Sequence, residues 1–464
     1  MTAQTIQVVQ AFDRAPFGEV RADDAAALEG KLATALRAFR NRDGWPKPHE
    51  RAAVLQAAAN LLQGRQEPFT KCIAQEGGKP WKDAAVEVAR AIDGLRNAAE
   101  ELRHFAGQEI PMGLTPASDG RWAFTTKEPI GVVAAISAFN HPLNLIVHQV
   151  APAVAVGCPV IVKPAPATPL SCLALVGLLR EAGLRDEWCQ TFVTEDNALA
   201  ERLATDARVA FLSFIGSARV GWSLRSKLSP GTRCALEHGG AAPVIVDRSA
   251  DLGSVIEPIV KGGYYHAGQV CVSVQRIFVH ESVFGDFVER LAARVGTLHV
   301  GDPLLRDTDV GPLIHPREAI RVASWIEEAA AGGARVIGGG RLSDTTLAPG
   351  IVVNPAGEAK LSQLEVFGPV TCVYPFADLD KAIEIANGLP YAFQASVFSK
   401  DIGPALRAAR RFDASTVLVN DHAAFRTDWM PFAGRRQSGY GVGGIPYTMH
   451  DMSQEKMIVF RVDG

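Results

Sequence analysis

Long apolar runs are the first thing this chain lacks. The longest, Val150 to Val162, is broken by Pro152, Gly157 and Pro159 and falls well short of the roughly 20 residues a spanning helix needs. No bilayer crossing is expected. Paired cysteine is missing too: the seven cysteines, at Cys72, Cys158, Cys172, Cys189, Cys234, Cys271 and Cys372, are odd in number with no C-x-x-C spacing. That argues against a disulfide framework and against a zinc site, so no metal is expected. Charge of one sign is scarce, with 47 Lys and Arg against 50 Asp and Glu for a formal net charge of -3. Holding a phosphate backbone takes clustered cations that release counterions, so nucleic acid is not an expected partner. Met1 to Phe17 mixes Gln, Asp and Arg among its apolar residues, without the basic head, apolar centre and cleavage site of a secretion signal. A reducing cytoplasm fits best.

What is present is the composition of a compact, turn-rich globular protein: 47% hydrophobic and 21% charged residues, with 43 Gly and 28 Pro. At 464 residues the chain is too long for one ordinary core, so two or more sub-domains are expected. Asp23 to Arg40, Pro48 to Leu62 and Asp83 to Phe105 carry apolar residues at helical spacing and read as an opening set of helices. Gln108 to Glu128 has no helical period, and Arg121 to Thr126 alternates like a short strand; this reads as an arm. From Pro129 onward, short β-branched runs (Ile130 to Ile136, Pro159 to Val162, Gln190 to Val193, Val209 to Phe214) are each followed by a helical stretch, which argues a parallel α/β sheet. A second series begins near Ala241, with strands expected at Pro243 to Val246, Arg276 to His280, Ala334 to Ile337, Val370 to Tyr374, Gln394 to Phe398 and Thr416 to Val419. The closing strand, Lys456 to Arg461, has no sequential neighbour and is expected to pair with the arm or with another subunit. There is no fixed-period repeat and no low-complexity tract.

Four short segments carry chemistry. Cys271 follows Gly268-Gln269-Val270, between a helix-like run and a strand. Most cysteines are small core residues, but the polar, flexible loop around this one also suits a nucleophile. Leu236-Glu237-His238-Gly239-Gly240 puts a carboxylate in a loop just before an apolar strand, either as a turn acid facing water or as a partly desolvated base. Phe139-Asn140-His141-Pro142 ends a strand, with Pro142 expected to open the next helix. Asn140 there is either a helix N-cap or an amide donor to a developing oxyanion. Gly216-Ser217, with Gly221 behind it, ends another strand and opens a helix that can seat a phosphate.

In that fixed order these segments resemble the aldehyde dehydrogenase superfamily, over essentially the whole chain. The similarity extends through Pro129-Ile130-Gly131-Val132-Val133, Val162-Lys163-Pro164 with Thr168-Pro169, Glu365-Val366-Phe367-Gly368-Pro369-Val370, and Pro431-Phe432 with Ser438-Gly439. The resemblance implies an α/β fold with three parts. These are a Rossmann-like cofactor domain (1–107 and 129–239), an α/β catalytic domain (240–445) and a small β oligomerisation arm (108–128 and 446–464) that joins a homodimer or homotetramer. It implies Cys271 as nucleophile, Asn140 as oxyanion donor and Glu237 as the base that hydrolyses the thioester. For NAD or NADP it implies Ser137, Ala138, Phe139, Lys163, Ala165, Pro166, Gly216, Ser217, Gly221, Glu237, His238, Gly239, Glu365 and Phe367.

Two departures bear on the cofactor. Pro166 stands where many NAD-preferring relatives have an acidic residue, so no carboxylate there repels a 2′-phosphate. Glu195-Asp196-Asn197 replaces a glycine-rich loop. The expected substrate is a small polar or anionic aldehyde. Arg90, His141 and Arg426 resemble positions that bind anionic groups in relatives, the alternative being that Arg90 pairs with Glu87 on a solvated helix face and that Arg426 is structural. Val270 stands where some phosphoaldehyde-oxidising relatives carry arginine, which argues against a phosphate. Gly443 to Tyr447 is similar to lactaldehyde- and phosphonoacetaldehyde-type members. The competing functions are a CoA-acylating aldehyde dehydrogenase, against which Glu237 speaks, a catalytically silent binding protein, and a cysteine hydrolase pairing Cys271 with His266.

Overall fold

The computed structural model describes residues 5–462. It opens with an antiparallel hairpin, β1 (Thr5–Val9) and β2 (Pro16–Arg21), which sequence patterning did not anticipate. Four helices follow: α1 (Ala25–Arg40), α2 (Pro48–Gly64), α3 (Gln66–Gly77) and α4 (Trp81–Glu101). Local chemistry sets their starts. The Asp24 carboxylate accepts from the backbone N–H of Ala27 at 2.8 Å, and Pro48 takes the first helical position of α2, where its missing N–H costs nothing. Helix α3 is the unpredicted member; its buried residues include Glu76 and Gly77 as well as Phe69 and Ile73, which blurs the apolar stripe.

The segment read as an arm contributes to a three-stranded sheet. Strand β3 (Glu109–Ile110) pairs with β4 (Arg121–Pro129), and β4 pairs along its length with the last strand, Ser453–Arg461, all antiparallel. Then comes the first α/β unit: β5 (Val132–Ile136), α5 (Asn144–Val156), β6 (Val160–Lys163), α6 (Leu170–Glu181), β7 (Cys189–Thr191), α7 (Asn197–Thr205), β8 (Val209–Ile215), α8 (Ala218–Arg225) and β9 (Arg233–Glu237). The sheet runs in the order β9, β8, β5, β6, β7 with every pair parallel. Strands β5 and β6 are buried along their whole length, as parallel strands covered on both faces must be.

Strand β10 (Ala242–Val246), helix α9 (Leu252–Tyr264) and strand β11 (Val274–His280) begin a second sheet of seven strands. Its order is Arg335–Gly338, Gly350–Val353, Val370–Phe376, β11, β10, Gln394–Phe398 and Thr416–Val419. Each sheet has its own apolar core, one centred on α2, α4 and α5 and the other on α9 and β11. The expected division at 445 is not followed by the packing. Gly439–Tyr440 adds an antiparallel edge to β9, and Ile445 and Met449 of the Ile445–Asp451 helix belong to the first core. Their apolar faces are satisfied there and not in the arm.

Candidate active site

In the first sheet, β5 lies between β6 and β8, so the chain leaves it in one direction and later returns on the other side. Such a switch opens a crevice at the carboxyl ends of the strands. The residues singled out in the sequence sit at those ends: 137–141 after β5, Lys163 closing β6, Gly216 and Ser217 after β8, and Glu237 closing β9. Glu237 is therefore a strand terminus, not a loop residue as expected, because β9 pairs with β8 as far as Ile215 opposite Glu237. Facing them are the approaches to two strands of the second sheet, with Cys271 before β11 and Glu365 and Phe367 before Val370–Phe376. Between them runs a cleft of about 1250 Å³ lined by residues from both sheets, among them Cys271, Glu237 and Asn140.

Towards one end, the cleft is lined by Ser137, Ala138, Phe139, Lys163, Ala165 and Pro166, and by Gly216 and Ser217 at the start of α8. Gly221 is not in the lining. It lies beneath His238, whose ring would stand 2.0 Å from a Cβ at that position. The His238 Nδ1 is 2.9 Å from the Gly216 carbonyl, while its Nε2 and the hydroxyl of Ser137 are buried without a partner among the described residues. Burial lowers the Lys163 ammonium pKa to about 8, against the opposing pull of Glu195. Glu365 packs across Gly239, where a Cβ would come within 1.7 Å of its Oε1, and accepts from the Gly240 N–H at 3.2 Å. Burial pushes this carboxyl up to about 7. Phe367 lies edge-on to Phe139, ring centres 5.9 Å apart.

The loop that delivers Cys271 is tightly constrained. His266, Ala267 and Gly268 have φ of 48°, 53° and 67°, and successive left-handed residues cost energy that the surroundings must repay. The Gln269 side chain does so, donating to the carbonyls of His266 and Pro312 at 3.2 Å and accepting from the Ile314 N–H at 2.9 Å. A Cβ on Gly268 would stand 2.1 Å from the Gly368 carbonyl oxygen, so glycine is required there. Asn140 donates through Nδ2 to the Gln269 carbonyl at 2.9 Å, which ties the end of β5 to this loop. That bond is not a helix cap: α5 begins at Asn144, two residues beyond the expected Pro142. An amide nitrogen carries two hydrogens, so one remains after the amide plane is fixed.

Burial pushes the Cys271 thiol up to about 12, with Glu237 and Glu365 adding to the shift and the Arg426 guanidinium opposing it. Burial likewise raises Glu237, again against Arg426. Gly443 makes room for this carboxylate, because a Cβ there would meet Glu237 Oε1 at 2.2 Å. His266 does not line the cleft. It is buried with both ring nitrogens unpartnered among the described residues, so it forms no dyad with Cys271.

Arg90, His141 and Arg426 all reach the cleft. Arg90 does not pair with Glu87 on a solvated face. It forms a two-pronged pair with Asp428, Nε to Oδ2 at 3.1 Å and Nη2 to Oδ1 at 2.7 Å, while Glu87 is buried against Lys79. Burial, with Lys79 adding to it, holds His141 well below the usual histidine pKa and so neutral. Sequence reading missed Asp428, Asn144, His148 and Tyr265, the first three of which are joined in one polar cluster. Asn144 and His148, spaced four apart in a wholly buried helix whose one other polar residue is Gln149, were the available signal.

The chain matches the model of the aldehyde dehydrogenase family over residues 1–458. It is 37% identical over 461 residues to a 3-sulfolactaldehyde dehydrogenase of Priestia aryabhattai, covering 99% of this chain and 96% of that one. Among solved structures, aldehyde dehydrogenase 21 of Physcomitrella patens in complex with the reaction product succinate superposes with a TM-score of 0.96 at 33% identity, covering 100% and 96% of the two chains. The glyceraldehyde-3-phosphate dehydrogenase of Methanocaldococcus jannaschii complexed with NADP gives 0.94 at 31%, covering 99% and 100%. Both the order of the sequence segments and the shape they fold into are shared, and the chain belongs to the aldehyde dehydrogenase family.

Proposed function

We propose that this protein oxidises a small polar or anionic aldehyde to its carboxylic acid, with NAD⁺ or NADP⁺ as acceptor, through a thioester on Cys271. One observation carries the reading: a thiol, a carboxyl and an amide from three separate segments line a single cleft. The cleft also fits a dinucleotide. Its far end offers two buried polar atoms without partners, Ser137 Oγ and His238 Nε2, beside the partly desolvated Lys163. Ser137, Lys163, Gly216 and Ser217 would hold the adenosine and phosphate part, and Glu365 and Phe367 the nicotinamide ribose. When bound, the nicotinamide supplies a hydride acceptor.

The Cys271 thiol is neutral at rest, so attack on the aldehyde carbon requires its proton to leave. Glu237, whose own proton affinity is raised by burial, is the acceptor in the same cleft. The new alkoxide oxygen receives the free Asn140 N–H and the backbone N–H of Cys271, each such donor worth about 3 kcal/mol. After hydride loss leaves an acyl-cysteine, Glu237 gives up the thiol's proton to solvent, takes one from water as it attacks the thioester carbonyl, and returns it to the departing Cys271 sulfur. The acid departs and the thiol is restored. Arg90, His141 and Arg426 would face the substrate tail, and the three relatives named above are described with a sulfonated aldehyde, succinate and a phosphorylated aldehyde.

The test is turnover of carboxylate-, sulfonate- and phosphate-tailed aldehydes and neutral ones with each dinucleotide, without CoA. Acid and reduced nicotinamide are expected in equal amounts, and Cys271→Ser should lower kcat by at least about a thousandfold. Turnover surviving in that variant, or appearing only when CoA is added, would overturn the proposal.

A further inference from the structure

Two cationic side chains reach the cleft from opposite flanks of one buried carboxylate. Asp428, 4% exposed, receives four hydrogen bonds: Arg90 Nε and Nη2, Asn144 Nδ2 at 3.0 Å, and His148 Nε2 at 2.7 Å. On its other edge His148 takes Arg426 Nη2 at Nδ1, 3.2 Å away. A guanidinium has no acceptor, so Nδ1 must carry the lone pair and Nε2 the hydrogen. The histidine is thereby held in one neutral tautomer that donates to Asp428 and accepts from Arg426. The Arg426 plane is also stacked 3.5 Å from the centre of the Phe432 ring, which leaves its buried Nε without a partner among the described residues. Arg90 keeps Nη1 outside its pair with Asp428.

We infer that Asp428 and His148 are positioning residues for substrate charge: through them one buried carboxylate orients Arg90 directly and Arg426 through a tautomer-locked histidine, presenting both guanidinium groups to the anionic tail of the aldehyde. This rests on the reading of Arg90 and Arg426 as tail-binding groups. It extends that reading to two residues that need not touch the substrate. An arginine held by two or three fixed contacts loses little freedom on binding an oxyanion, whereas a loose one must be ordered at the cost of affinity. Asp428 is also the paired counter-charge of Arg90, and Arg426 feels it together with Glu237.

Arg426 influences the Cys271 thiol as well as the tail, so a single rate does not isolate the effect. The ratio of kcat/KM for an aldehyde ending in a carboxylate or sulfonate to that for a neutral aldehyde of the same length cancels changes at the thiol. Asp428→Asn and His148→Leu should each lower this ratio about tenfold or more, mainly through KM for the charged substrate. His148→Gln, whose amide can donate to Asp428 and accept from Arg426, should recover most of it. Because His148 is uncharged, the His148 pair carries the test if Asp428→Asn fails to fold. Arg90→Ala and Arg426→Ala run in parallel. If they leave the ratio unchanged, the tail-binding reading fails and this inference with it. If they lower the ratio while His148→Leu does not, or if His148→Leu and His148→Gln behave alike, the positioning role alone is overturned.

Discussion

On the proposed mechanism, the Asn140 side chain serves both shape and chemistry. Its amide ties the end of β5 to the Gln269 carbonyl and still has a hydrogen to spare. Asn140→Ala should therefore lower kcat by about 100- to 1000-fold, the usual loss for one oxyanion donor, with a smaller effect on KM; a loss confined to KM would argue that the amide only shapes the loop. Glu237 makes a pH prediction. Burial raises its pKa above the ordinary carboxylate range, and a base works only when deprotonated, so activity should rise with pH through that raised value and not near the pKa of a free side chain. Replacement by Gln should abolish this acidic limb of the kcat profile and slow both the first hydride transfer, measured as the rate of the first turnover's reduced nicotinamide, and acid release. An unchanged limb in Glu237→Gln would assign it to another group.

At the scale of elements, α5 carries the site because other helices fix its start. No residue of its own caps it by side chain. Instead Glu87 of α4 accepts from the N–H groups of Leu143 and Asn144 at 2.9 and 3.0 Å and pairs with Lys79 in the interior. A carboxylate suits the positive end of a helix. Glu87→Ala removes the cap and strands a buried ammonium, and should destabilise the fold by about 3–5 kcal/mol in urea denaturation. It should also reduce turnover, because His141, Asn144 and His148 move with α5. A variant with unaltered stability would show that Lys79 sheds its charge or finds another partner. The series of strands and helices was largely legible in sequence, since β-branched runs alternate with helical spacing. Strand β9 and helix α3 were not, because Arg233–Glu237 is short with charged ends and α3 buries Glu76 among its apolar residues.

At the scale of the whole molecule, Ser453–Arg461 is an outer strand of the arm sheet and Thr416–Val419 an outer strand of the larger one. Trp122, Met457 and Phe460 on the arm are about half exposed. Outer strands that carry large exposed apolar groups are commonly covered by another copy of the chain, so light scattering should give a mass of two or four chains. Trp122→Lys combined with Phe460→Lys should shift it downward. A single-chain mass for the unaltered protein at micromolar concentration would leave the arm without this role.

Sequence alone determined the alternating α/β plan, the arm strands and the short segments around Asn140, Lys163, Gly216, Glu237, Cys271 and Glu365, because periodicity and backbone-restricting residues act locally. Only tertiary structure decided what those segments face. Cys271 and Asn140 are 131 positions apart, yet both line the cleft, and Asn140 bonds to Gln269, two residues before the cysteine. Arg90 illustrates the same limit. Its neighbour along the helix, Glu87, was the partner that spacing offered, but burial gave Glu87 to Lys79 and left Arg90 to Asp428, 338 residues on. Which charges meet in an interior depends on which are desolvated together, and that is a property of the packed chain.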